Sequence, residues 1–195
     1  VTLKISSGWS KGLKILTPEG LDTRPTTGRV RESAINLIQP WIKDSIVVDL
    51  YAGSGAVGLE LISRGARGAI FVEKASKAVK CLDENIKAFL LRASQQGIAV
   101  SPIDVQHCDL ETFMSRPTKF KFDIIWADPP YDRASSFLDS AIPLLKRIAN
   151  PGAILALESS HQSLPLTTQA SEKHAISIEK QRRYGISLIT IWNLN

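Results

Sequence analysis

The chain has 195 residues, 44% hydrophobic and 22% charged, which is close to an average globular domain and far from disordered or collagen-like compositions. At roughly 150 residues per domain, the length fits one domain with a small appendage. Apolar runs extend over only a few residues, against the roughly 20 that a membrane-crossing helix needs, so no membrane partner is expected.

Lysine and arginine outnumber aspartate and glutamate by 24 to 19. The surplus is uneven: residues 1–31 hold six basic and two acidic side chains. A polyanion would meet this end first; an ordinary solvated arm accounts for the count equally well. Cys81 and Cys108 form no CxxC pair and no disulfide framework, which suits a reducing compartment. No amino-terminal signal peptide is legible. Residue 1 is Val and not Met, which leaves a removed transit peptide as an open alternative.

In chain order, short alternating runs at 3–5 and 13–16, broken at Gly8 and Gly12, predict a small hairpin. Residues 18–28 read as loop. Val30, Ala34, Leu37, Ile38 and Trp41 fall at helical spacing, with Pro40 marking the end. The apolar run 46–50 predicts a parallel strand buried on both faces. A helix over 56–64 follows, with Gly65 as its stop. Strand 69–73, a long amphipathic helix over 76–96 and a strand at 103–107 come next. Beyond a turn at Asp109, the pattern predicts strand 122–127, helix 134–148 and strand 154–158. Runs at 175–179 and 186–192, joined by a polar turn holding Lys180, Arg182 and Arg183, predict an antiparallel pair. The order implies an α/β fold: a Rossmann-like, doubly wound, mostly parallel sheet with an antiparallel carboxyl-terminal hairpin and a small amino-terminal β-hairpin extension. The division expected is 1–28 for the extension and 29–195 for the main domain.

Gly53-Ser54-Gly55-Ala56-Val57-Gly58 is a G-x-G-x-x-G loop between a strand and a helix. The first glycine suits the tight turn, the second a close approach to a ligand, and the third helix–strand packing. Glu73, at the end of the next strand, can take both hydroxyls of a ribose. Asp49, four residues before Gly53, is awkward beside a pyrophosphate because like charges repel. It suits S-adenosyl-L-methionine (SAM), whose methionine end carries an ammonium and a sulfonium. Asp109 is read equally as an acceptor for the adenine amine and as a helix N-cap.

Asp128-Pro129-Pro130-Tyr131 follows the strand 122–127. Two prolines fix φ and cannot continue a ladder, so they hold a rigid elbow at the carboxyl end of the strand, where such sheets bind ligands. Methylation of an exocyclic amine needs acceptors for the amine hydrogens that strengthen as positive charge develops. The Asp128 carboxylate and the Pro129 carbonyl are such a pair, and Tyr131 can stack on a base that is unpaired or flipped out. No metal is needed, because a sulfonium is already an activated leaving group. His107-Cys108 reads as a buried strand end, Cys81 as helix packing and Trp126 as core.

These motifs resemble the class I SAM-dependent amino-methyltransferases. With Arg24-Pro25-Thr26-Thr27-Gly28-Arg29-Val30-Arg31-Glu32 and the hairpin before it, the chain resembles the RsmD-type bacterial 16S rRNA (guanine-N2)-methyltransferases over essentially its whole length. The resemblance implies SAM as cofactor, S-adenosyl-L-homocysteine as product, and one guanine amine of 16S-type rRNA as target, in a small ribosomal subunit or an assembly intermediate. It implies a bacterial cytoplasm, with a chloroplast or mitochondrion as the alternative. Asp128, Pro129, Pro130 and Tyr131 would be catalytic. Asp49, Tyr51, Ala52, Gly53, Ser54, Gly55, Glu73, Lys74, Asp109 and Leu110 would bind the cofactor, and Lys11, Lys14, Arg24, Thr26, Arg29 and Arg31 the RNA. Gly28 stands where many relatives carry an acid. Two other functions stay open: an adenine-N6 methyltransferase acting on RNA or DNA, and a non-catalytic RNA-binding assembly protein.

Overall fold

The computed structural model describes residues 3–18, 28–130 and 134–194, with the backbone alone at Arg29 and at 134–136. Arg24, Thr26 and Tyr131 lie outside the described residues.

A seven-stranded sheet runs in the order β5-β4-β3-β6-β7-β9-β8. Its strands are β3 (Ile46–Leu50), β4 (Gly68–Glu73), β5 (Ile103–His107), β6 (Phe122–Ala127), β7 (Ala149–Ser160), β8 (Ser177–Tyr184) and β9 (Ser187–Asn193). The first five in that order pair in parallel, while β9 is antiparallel to both β7 and β8. β9 alone is therefore reversed. Helices α1 (Gly28–Leu37), α2 (Gln39–Ile42), α3 (Ala56–Ser63), α4 (Ser76–Gln95), α5 (Leu110–Ser115), α6 (Ala134–Ile148) and α7 (Leu164–His174) link the strands. Neighbouring strand residues feed opposite apolar layers: Val47 joins Ile35, Leu59, Phe71, Phe89 and Trp126, whereas Val48 joins Phe113, Ile142, Leu145 and Trp192. Two covered faces explain why the central strands are continuous apolar runs and not alternating ones.

The amino-terminal hairpin pairs β1 (Leu3–Lys4) with β2 (Lys14–Ile15). Ile5 and Ile15 are buried in the same apolar layer as Trp126, and Trp9 packs on Phe89 of α4 with ring centroids 4.6 Å apart. The segment after β1 is bolted to α3. The fully buried Glu60 carboxylate accepts from Ser6 N–H at 2.7 Å, Ser6 Oγ at 2.8 Å, Ser7 N–H at 3.0 Å and Arg64 Nε at 2.9 Å. A buried carboxylate is tolerable only when its lone pairs are filled in this way.

Besides β7, which spans Ala149–Ser160 where 154–158 was expected, three elements differ from expectation. Pro40 does not end the first helix; it lies in the first turn of α2, where its missing N–H costs no hydrogen bond, and α1 ends at Leu37. Helix α7 was not anticipated, because its inward face has little apolar periodicity: Thr167 and Ala170 are its buried positions. Pro165 near its start is the one signal. Residues 180–184 are not a turn but the continuation of β8. An edge strand has one neighbour, so charged side chains are accommodated along it.

Candidate active site

Leu50 of β3 is in register with Val72 of β4 and with Ala127 of β6. The next residues, Tyr51, Glu73 and Asp128, therefore stand in one row along the carboxyl edge of the sheet. Chain direction changes sharply here. Tyr51 has φ +61°, a left-handed conformation that costs a residue with a side chain about 1–3 kcal/mol. The turn leads into the glycine loop, where Ala52 N–H donates to Val72 O at 3.0 Å and Gly55 N–H to Ala52 O at 2.8 Å. Glu73 ties loop to strand: its Oε2 accepts from Gly53 N–H at 2.8 Å and its Oε1 from Ala75 N–H at 2.7 Å.

The three glycines do different work. A Cβ on Gly53 would meet nothing nearer than Tyr51 O at 4.0 Å, so this face of the loop is open to a ligand. Gly55, expected to make that room, instead admits helix α4, since a Cβ there would lie 2.3 Å from Leu82 Cδ1. Gly58 is the packing glycine as expected: its Cβ would lie 2.4 Å from Phe71 Cε1 and 3.2 Å from Asp49 Oδ2.

Asp49 is buried, and its Oδ2 accepts from Gly58 N–H in the first turn of α3 at 2.9 Å. Burial pushes its carboxyl up to about 8, and the negative charges of Asp128 and Glu73 add to the rise against the opposing pull of the Gly58 hydrogen bond. Three carboxylates thus meet at one edge of the sheet. A positively charged ligand offsets the charges of Glu73 and Asp128 and favours release of the Asp49 proton, and the open face at Gly53 leaves room beside them. This donor set fits SAM.

Asp109 caps α5, its Oδ1 accepting from Thr112 N–H at 2.8 Å. Hydrogen bonds from the Thr112 side chain and N–H hold its carboxyl below the usual range, and Lys74 lowers it further. Of the two roles open to Asp109, this is the one its contacts display. Leu110 begins α5 half-buried against the apolar layer of Val48. In the elbow, Asp128 and Pro130 are exposed and Pro129 is buried. Trp126 is core, as expected. His107 is exposed and 3.4 Å from Ser76 Oγ, not buried as expected, because β5 is an edge strand.

Asn85 of α4 escaped the sequence reading, since a polar residue on an amphipathic helix gives no signal of its own. It is buried, and its amide joins three parts of the chain. Its Oδ1 accepts from Leu16 N–H at 2.8 Å, while its Nδ2 donates to Leu16 O and to Ser54 O, both at 2.9 Å. The glycine loop and the end of the amino-terminal hairpin thus hang from one side chain.

The basic residues of that hairpin divide. Lys11 and Lys14 are exposed, and Lys4 and Lys14 are Cα partners across the strand pair. Arg31 turns inward: it is 8% exposed and its guanidinium donates to Lys4 O at 2.8 Å. Its expected contact with RNA therefore gives way to holding the hairpin on α1, and desolvation lowers its affinity for its proton.

Comparison with known proteins agrees with this arrangement. Residues 3–193 match the family described as Conserved hypothetical protein 95. The chain is 33% identical over 187 residues to "Ribosomal RNA small subunit methyltransferase D" of Escherichia coli (strain K12), covering 94% of this chain and 88% of that one. It is 30% identical over 191 residues to YlbH of Bacillus subtilis (strain 168), covering 97% and 98%. The solved structure of Escherichia coli YhhF superposes with a TM-score of 0.75 at 27% identity, covering 99% of this chain and 98% of that one. On a class I methyltransferase fold whose loop and elbow stand side by side, these matches establish that the chain belongs to the Conserved hypothetical protein 95 family, that of the RsmD-type methyltransferases.

Proposed function

We propose that this protein methylates the exocyclic N2 amine of a guanine in small-subunit ribosomal RNA, with SAM as methyl donor. The observation that carries this reading is the row of Tyr51, Glu73 and Asp128, which sets the elbow that would receive an amine beside the loop that would receive the cofactor. When bound, SAM supplies an electrophilic methyl group on a sulfonium. Glu73 and the open face of Gly53 would hold its ribose side, with Ala52, Ser54, Gly55, Lys74, Asp109 and Leu110 around them. Asp49 would answer its cationic end.

The chain's own task in the reaction is positioning and charge. The Asp128 carboxylate accepts one amine hydrogen and the Pro129 carbonyl the other, which turns the nitrogen lone pair toward the methyl group. Both acceptors gain strength as the nitrogen becomes positive, so they favour the transition state over the ground state. Neither has to move, because two prolines stiffen the elbow. Tyr131 would stack on the base.

The opposed pair Lys4 and Lys14 supports a polyanionic partner. Like charges directly across a strand pair are destabilising, and a phosphate chain relieves them. Lys11, Lys14, Arg24, Thr26 and Arg29 would carry that contact from the extension over 1–28 to the main domain over 29–195. Guanine and the small subunit are supported by the resemblance of residues 24–32 and by the name of the Escherichia coli relative. The bacterial relatives favour a bacterial cytoplasm as the setting.

The test is to incubate the protein with labelled SAM and small subunits that lack the modification, then to digest the RNA and identify the labelled nucleoside. N2-methylguanosine at one position is expected. N6-methyladenosine would replace this reading with the adenine one, and absence of transfer with an intact SAM affinity would favour a non-catalytic assembly protein.

A further inference from the structure

The sheet does not stop level with the active-site row on every side. Ala127 is in register with Leu157, Leu157 with Thr190, and Thr190 with Gln181. Strands β7 and β9 stay paired out to Ser160 and Ser187, and β8 out to Tyr184. The β8–β9 turn at Gly185-Ile186 therefore rises three residues beyond the level of Ala127, about 10 Å, and stands three strand spacings to the side, about 14 Å. It forms a wall beside the elbow on the same edge of the sheet.

This wall is braced. His161 N–H donates to Ile186 O at 2.9 Å and Arg183 Nε to Gly185 O at 2.8 Å. Beneath it, Ser187 Oγ donates to the buried Glu158 carboxylate at 2.9 Å. On its tip Ile186 is 65% exposed, the most exposed large hydrophobic side chain among the described residues. Arg182 and Arg183 are also exposed. Lys180, two residues earlier on the same strand face as Arg182, is committed to the fold: its Nζ donates to Leu37 O at 2.8 Å and lies 4.9 Å from the centroid of the Trp41 ring. The Arg182 side chain makes no hydrogen bond or ion pair among the described residues.

We propose that the β8–β9 turn is a second nucleic-acid contact, separate from the amino-terminal hairpin, in which Ile186 packs against an unstacked base or sugar and Arg182 and Arg183 take neighbouring phosphates. The inference rests on the reading of the chain as an rRNA methyltransferase. A base delivered to Asp128 must leave its stack, and its flanking nucleotides then cross the rim of the sheet. A stiff apolar tip flanked by guanidinium groups fits a strand opened in this way, because apolar wedges hold bases apart and arginine pairs with phosphate as a fork. The two cations favour a polyanion over a neutral protein surface.

Arg182→Glu and Ile186→Ser test the contact on small subunits lacking the modification, with Arg182→Lys as the conservative control. For Arg182→Glu, KM for the subunit is expected to rise about tenfold, with kcat within twofold of wild type, and the slope of log affinity against log salt to shrink by about one. For Ile186→Ser, KM is expected to rise several-fold with the salt slope unchanged. SAM affinity and melting temperature stay at wild-type values in both, and Arg182→Lys keeps most of the affinity. Wild-type KM and slope in both altered proteins would overturn the contact, as would a loss that falls on SAM affinity or kcat alone. A wild-type protein that neither binds nor methylates the rRNA would instead fail the proposed function, and this inference with it.

Discussion

At one end of the chain β1 and β2 fold back onto α3 and α4; at the other, β8 and β9 widen the sheet. The first hairpin belongs to the stretch with the larger basic surplus in sequence, yet much of that stretch is spent on attachment. Arg31 is buried against Lys4 O, and Ser6, Ser7, Trp9 and Ser10 are held by Glu60, Ile62 and Ser63. The second hairpin shows a smaller surplus and presents both its arginines to solvent. A count of charges along a chain thus overstates the surface potential wherever a cation serves as an internal donor, as Arg31 does on one side and Lys180 on the other.

The comparison can be broken at its chemical centre first. Asp128→Ala is expected to lower methyl transfer by 100-fold or more, the scale of losing one preorganised partner of a developing charge. SAM affinity should stay within about twofold by calorimetry. Unchanged turnover would remove Asp128 from the mechanism.

Next is the bolt on the amino-terminal side. Glu60→Ala leaves Arg64 Nε and three further donors without their acceptor, and breaking a buried pair of this kind costs about 3–5 kcal/mol. Thermal unfolding should fall by about 10 °C. Ile186→Ser at the other hairpin should leave the melting temperature unchanged, so the pair of variants measures directly how differently the two hairpins are held.

Asn85→Ala comes third. It unties Leu16 and Ser54 from α4 at once by removing three partly buried hydrogen bonds, each worth about 0.5–1.5 kcal/mol. Weaker SAM binding is expected together with a lower melting temperature. An unchanged SAM affinity would mean that the loop is held by Glu73 alone.

The last prediction is a pH dependence. The Asp49 carboxyl lies above its unfolded value, at about 8, so between about pH 4 and pH 8 the folded protein holds a proton that the unfolded chain releases. Stability of the cofactor-free protein should therefore fall as pH rises through that window. Asp49→Asn, which keeps an acceptor for Gly58 N–H, should flatten this part of the melting curve series. A wild-type melting temperature that rises from pH 5 to pH 8 by the same amount in both proteins would show that Asp49 does not titrate there.

Much of this was legible in the residues. The boundaries of β3 and β6 follow the periodicity closely, because both faces of these central parallel strands are buried and nearly every position in them is constrained. The elbow at Asp128 could be read because two prolines permit few conformations. Helix α7 and the upper half of β8 could not, since each has only one covered side and tolerates polar residues on the rest.

What the sequence alone determined is the local chemistry: a glycine loop, an acid after each of two strands, and a prolyl elbow, in an order that demands a parallel sheet. Tertiary structure decided which of these groups share an edge and what their charges do. Register brought Tyr51, Glu73 and Asp128 into one row, burial kept a proton on Asp49, and Asn85 acquired two partners, 31 and 69 residues away. Register and burial depend on contacts between distant segments, and no local pattern of residues encodes those.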